Sequence, residues 1–152
     1  MKKLILLSLF ACFMISISAA EAGNPGLRMY GNWCGPGNSM NTAAPIDPLD
    51  MACRQHDVCY AQNDFARCGC DIGFMRQLRV LPYPNPQIQI QARAMYDAVA
   101  VTPCDNPLGW AEKQRLMWTD IANDTLNGRG SPLDVPLRWM EMLSRSAPTT
   151  HP

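Results

Sequence analysis

The chain has 152 residues, with 13 basic and 13 acidic side chains, so it carries no formal net charge, and no basic footprint for nucleic acid is visible. Its length suits one domain with a hydrophobic core of its own, and no repeat or low-complexity stretch interrupts it. The first segment, residues 1–22, has Lys2 and Lys3, an apolar run from Leu4 to Ile17 and small residues up to Ala22, the layout of a secretory signal cut after Ala22. The run is shorter than the ~18 residues a membrane span needs, and no later segment is long and apolar enough for one. Leu9-Phe10-Ala11-Cys12 loosely resembles a lipidation site, but Phe10 is bulky beside the cleavage point and the apolar run continues past Cys12. The expectation is therefore an exported chain, periplasmic or secreted, that keeps residues 23–152 and six cysteines: Cys34, Cys53, Cys59, Cys68, Cys70 and Cys104. An even count in an exported chain reads as three disulfides, for which 15 connectivities exist.

Residues 23–47 are rich in glycine, proline and polar side chains and read as loop. Asp47 and Pro48 then form a cap and a first turn, with Asp50 near the positive end of the dipole, and no further Gly or Pro follows before Asp64. This is a first helix. After Phe65-Ala66-Arg67, Cys70, Phe74, Leu78 and Leu81 recur at steps of four and three, a second helix whose stripe faces the first. The proline-rich run 82–86 ends it. A third helix spans Gln87 to Val101 through Ile88, Ala92, Met95 and Val99, and Pro103 closes it. Two more are expected at Ala111 to Leu126, ended by Asn127-Gly128, and at Leu133 to Ser144. No segment alternates with period two, so the fold class is mainly α.

The first helix carries Cys53, His56, Asp57 and Tyr60 at i, i+3, i+4 and i+7, along one face, with Cys59 at its border. An imidazole is the side chain best poised to take a proton near neutral pH. Asp57, its neighbour in sequence, points about 100° away on a helix, so it is badly placed to orient His56 and free to bind a metal. The orienting carboxylate must come from elsewhere, and Asp71, after Cys68-Gly69-Cys70, is the candidate on the second helix. Residues 30–37, YGNWCGPG, form a Gly-rich loop able to turn backbone carbonyls toward calcium, which takes six to eight oxygen ligands.

The loop Y-G-x-aromatic-C-G-x-G, the helix D-x-x-C-x-x-H-D-x-C-Y from Asp50 to Tyr60, and the C-x-C-D run from Cys68 to Asp71 stand in the order found in secreted phospholipases A2, and the chain resembles that family over residues 30–78. Gly35 to Ser39 followed by His56 to Tyr60 is also similar to the short phospholipase module of some viral capsid proteins. The resemblance implies two antiparallel, disulfide-linked helices with a Gly-rich calcium loop, and further helices C-terminal to them. It implies His56 as the base that activates water, Asp71 as its partner, Tyr60 hydrogen-bonded to Asp71, and Gly35 N–H as an oxyanion donor. Calcium would be held by Trp33, Gly35, Gly37 and Asp57, and the substrate would be a phospholipid membrane surface. It pairs Cys34 with Cys53 and Cys59 with Cys70, which leaves Cys68 for Cys104. The catalytic part would lie at about 30–81 and a helical part at about 87–145 of one domain.

Asn32 and Ala52 stand where longer members of the family carry cysteines, and 14 residues between His56 and Asp71 leave no room for their β-wing. The amphipathic N-terminal helix is missing too, since residues 23–29 contain two glycines and a proline. Rival readings are a catalytically weak module of the same fold that binds a membrane or a protein, and a cysteine-rich structural protein. A zinc site at His56, Cys59, Cys68 and Cys70 and a redox pair at Cys68-Gly69-Cys70 are disfavoured, because export favours oxidised, structural pairs. Asp120, Asp124 and Asp134 lack the spacing of an EF-hand and are expected to be solvated, and His151 lies in a Pro- and Thr-rich tail. Met and Trp at helical spacing, such as Met117 with Ile121 or Trp139 with Leu143, are expected in the core.

Overall fold

The computed structural model describes residues 26–37, 42–63 and 66–149. The signal segment and His151 lie outside the described residues. The element order is β1 (Gly26–Arg28), α1 (Pro48–Asn63), α2 (Cys68–Val80), α3 (Pro86–Val101), α4 (Pro107–Leu126), α5 (Asp134–Ser144) and β2 (Ala147–Thr149). The molecule is mainly helical, as the apolar spacing requires.

The helix starts follow local chemistry. Asp47 Oδ1 accepts the Asp50 N–H at 2.9 Å and Pro48 fills the first turn of α1. Asn85-Pro86 and Asn106-Pro107 repeat one device: each asparagine accepts the N–H three residues on, of Ile88 at 3.0 Å and of Gly109 at 2.7 Å, with proline at the start of the helix. For this reason α4 begins at Pro107 and not at Ala111. No side chain of its own neighbourhood caps α2; instead Asp105, from the turn before α4, accepts the Cys68 N–H at 2.9 Å.

Successive helices pack α1 on α2, α2 on α3 and α4, and α3 on α4 and α5. Phe74, Met75 and Leu78 of α2, Ala92, Met95 and Tyr96 of α3, Met117 and Ile121 of α4 and Met142 of α5 fill the core, with Leu49 and Trp33 closing it beneath the loop. Each large side chain buried there contributes roughly 1.5–3 kcal/mol. Met117 and Ile121 are buried and Trp139 packs against the core, whereas Trp118 and Leu143 are exposed. Asp120 departs from expectation: it is buried, accepting from Tyr96 and paired with Arg79, because the stripe that carries Met117 and Ile121 also turns it inward. Asp124 is half-buried between Arg93 and Arg129.

Residues 23–47 are not loop throughout. β1 pairs antiparallel with β2, Gly26 opposite Thr149 and Arg28 opposite Ala147, and strands of three residues are too short to show a period of two. Among the described residues no helix is long and apolar enough to cross a membrane.

Candidate active site

Three disulfides assemble the site: Cys34–Cys53 joins the Gly-rich loop to α1, Cys59–Cys70 joins α1 to α2, and Cys68–Cys104 joins α2 to the segment before α4. The Cα atoms of Cys59 and Cys70 are 5.8 Å apart, so the residue after Cys70 comes within reach of the residue three before Cys59. His56 Nε2 lies 2.8 Å from Asp71 Oδ1. The Asp71 side chain is 1% exposed and that of His56 13%, so the carboxylate is sealed and the imidazole keeps an edge toward solvent.

Tyr60 donates its hydroxyl to the same oxygen of Asp71. The His56 ring is held between Phe74, stacked at 4.7 Å, and Tyr60, tilted at 4.4 Å. An ionised carboxylate only accepts, so Nε2 must carry the proton and Nδ1 is left as the acceptor. Burial alone would raise the Asp71 carboxyl, but hydrogen bonds from His56, Lys113 and Tyr60 together hold it below the ordinary carboxylate range. Burial and the Asp71 hydrogen bond push the Tyr60 phenol far above its usual range, so it remains a donor.

Asp57 points elsewhere. Its Oδ2 is buried without a hydrogen-bond partner among the described residues, and desolvation pushes its carboxyl up to about 6 against the opposing pull of His56. A buried carboxylate oxygen with nothing to bind fits a hard cation. The loop beside α1 is bent through left-handed glycines, Gly31 at φ 55°, Gly35 at 129° and Gly37 at 80°. Its backbone is held by Asp50, fully buried, whose carboxylate accepts the N–H groups of Asn32 at 3.0 Å, Trp33 at 2.8 Å and Ile46 at 3.0 Å. Trp33 Nε1 and Asn32 Nδ2 donate to the carbonyls of Ala43 and Ala44, both at 2.8 Å.

Sequence reasoning missed Lys113. Its ammonium, 0% exposed, pairs with Asp71 Oδ2. The available clue was a single cation in the inward stripe of α4 that carries Met117 and Ile121. A separate cavity of about 350 Å³ opens between α3, α4 and α5 beside Arg93, Asp124 and Arg138, and His56, Asp57 and Asp71 do not line it.

Two disulfide-linked helices thus bring a histidine, a tyrosine and a buried aspartate together beside a Gly-rich loop. Residues 26–66 match the model of the phospholipase A2-like domain. A phospholipase A2 of Scolopendra dehaani is 30% identical over 76 residues, 50% of this chain and 48% of the relative. A basic phospholipase A2 of Bungarus caeruleus is 36% identical over 76 residues, 50% of each chain. The acidic phospholipase A2 homolog taipoxin gamma chain of Oxyuranus scutellatus scutellatus is 54% identical over 33 residues, 22% of this chain and 20% of the relative. No solved structure matches the chain. These matches support assignment of the chain to the phospholipase A2 family, and it spans half or less of the length of the relatives named.

Proposed function

We propose that the chain hydrolyses the sn-2 ester of glycerophospholipids in a calcium-dependent reaction at a membrane surface. The observation that carries this reading is the contact of His56 Nε2 with Asp71 Oδ1, at 2.8 Å, which leaves Nδ1 as an acceptor for a proton of water. His56 takes that proton, the hydroxide attacks the ester carbonyl, and Asp71 stabilises the imidazolium that forms. The proton then passes from His56 to the leaving alkoxide. Gly35 N–H donates to the oxyanion. The carboxylate of Asp57 and the carbonyls of Trp33, Gly35 and Gly37 would hold calcium, which when bound supplies positive charge beside the developing oxyanion. The signal-like residues 1–22 support export, with residues 23–152 acting as one phospholipase A2-like domain.

The test is turnover of a fluorogenic phospholipid with millimolar calcium and with a chelator. Wild type is expected to be active only with calcium, and His56→Gln to lose at least about two orders of magnitude, the usual share of general-base catalysis. Asp71→Asn should keep part of the activity. Absence of turnover in wild type, or a His56→Gln variant as active as wild type, would leave a binding module of the same fold as the better account.

A further inference from the structure

We propose that Lys113 is a positioning residue for the His56–Asp71 pair, clamping the one oxygen of Asp71 that His56 does not use. This role rests on the hydrolytic reading of the site. Lys113 lies on α4, outside the segment matched by the family model. Its ammonium donates to Asp71 Oδ2 and, at 2.7 Å, to the carbonyl of Thr102 at the C-terminal cap of α3. His56 and Tyr60 meet Oδ1. With donors on both oxygens the carboxylate cannot turn about its Cβ–Cγ bond without breaking one set, so the direction of Oδ1, and with it the tilt of the imidazole, is fixed from α4.

Packing alone does not call for a cation here. A buried ion pair replaced by apolar side chains of similar volume is often no less stable, because desolvation offsets the attraction. What the cation supplies is specific to Asp71. A carboxyl as buried as that of Asp71, 1% exposed, tends to keep its proton, and a protonated Asp71 is a poorer acceptor for the Nε2 proton of His56. Lys113 opposes that tendency and holds Asp71 as an acceptor. The C-terminal helices are thereby part of the site.

Lys113→Met keeps an unbranched stem of similar reach and removes the ammonium. With a soluble short-chain phosphatidylcholine and millimolar calcium, turnover is expected to fall at least about tenfold while KM stays within about twofold, since misplacing a base acts on the chemical step. The double variant Asp71→Asn/Lys113→Met should be no slower than Asp71→Asn, because a residue acting through Asp71 then has nothing left to act on. Independently of activity, the Asp71 carboxyl carbon followed by NMR should titrate at higher pH in Lys113→Met than in wild type. Turnover within about twofold of wild type, losses that multiply in the double variant, or an unmoved Asp71 titration overturns the proposal. An inactive wild type would sink the hydrolytic reading by itself, and the carboxyl titration would then decide: a shift upholds the clamp and no shift overturns it. Should Lys113→Met not fold, the charge-neutral double variant decides, since recovered folding upholds the pair and failure to recover assigns Lys113 to packing and overturns its role.

Discussion

Asp57 and Asp71 both neighbour His56, one along the chain and one by hydrogen bond, yet their surroundings push them in opposite directions. Asp71 has three donors and titrates below the ordinary range; Asp57 has a buried oxygen without one and titrates near 6. In metal-free protein the folded state therefore holds the Asp57 proton more tightly than the unfolded chain. Its contribution to stability is full below pH 3.8, the ordinary value, and is lost as pH rises through about 6. Allowing for solvent screening, that loss is roughly 1–2 kcal/mol. Asp71 acts with the opposite sign, since its contribution is present above the ordinary value and lost as pH falls. Asp57→Asn isolates the first effect. In chelator, its thermal midpoint should climb relative to wild type between about pH 4 and 7, the window of the shift, whereas millimolar calcium at about pH 7 should raise the midpoint of wild type alone. Parallel pH curves for the two proteins would dismiss the unpartnered carboxylate as the cause. At this scale the sequence was readable where contacts are local or covalently tied: the separation of Asp57 from His56 around the helix follows from its 100° step. Lys113 was not, because its partner depends on how α4 packs across α2.

The loop at 30–37 and helix α1 are one element in energetic terms, joined by Asp50. In the sequence Asp50 looks like a residue placed for the helix dipole, and its position in the first turn agrees with that. Its carboxylate, however, collects three backbone N–H groups from outside the helix, and Gly31 approaches so closely that a Cβ there would stand 2.4 Å from Asp50 Cγ. Asp50→Ala leaves those donors without an acceptor in a buried place. The expected loss is roughly 2–4 kcal/mol, taking a penalty of 1–3 for each unsatisfied group with partial relaxation, read as a lower midpoint in urea at unchanged slope. A loss under about 0.5 kcal/mol, the range of an ordinary surface substitution, would mean the loop holds itself without Asp50. The five helices were legible because proline, asparagine caps and apolar spacing are local signals; the starts of α3 and α4 moved only to the proline that follows each asparagine. The β1–β2 pair was not legible. Three residues on each side pair through the backbone, with Pro148, which has no N–H, at the centre of β2, and their partners are brought together only when the whole chain has folded.

Across the whole molecule, the first turn of α2 is the point where the two halves of the chain are tied. It is linked to α1 by Cys59–Cys70 and to the C-terminal half by Cys68–Cys104, with Asp105 capping Cys68 and its own N–H donated to the Ala66 carbonyl at 2.8 Å. Asp71 rides on that turn. The two bridges therefore serve different ends, and removing each should separate stability from activity. Cys68–Cys104 closes a span of 36 residues and Cys59–Cys70 one of 11. On the chain-entropy account the longer bridge is worth roughly 4 kcal/mol and the shorter roughly 3. Geometry reverses the order for turnover, because Cys59–Cys70 sets the distance between Asp71 and His56, while Lys113 and Asp105 still hold α2 from the other side when Cys104 is freed. Cys68→Ala/Cys104→Ala should thus show the larger drop in unfolding free energy yet keep most of its turnover at a temperature well below its midpoint. Cys59→Ala/Cys70→Ala should be the more stable of the two variants and the slower catalyst. Were the second variant both less stable and no slower than the first, the site would owe its alignment to packing of the C-terminal helices and not to the bridge between α1 and α2.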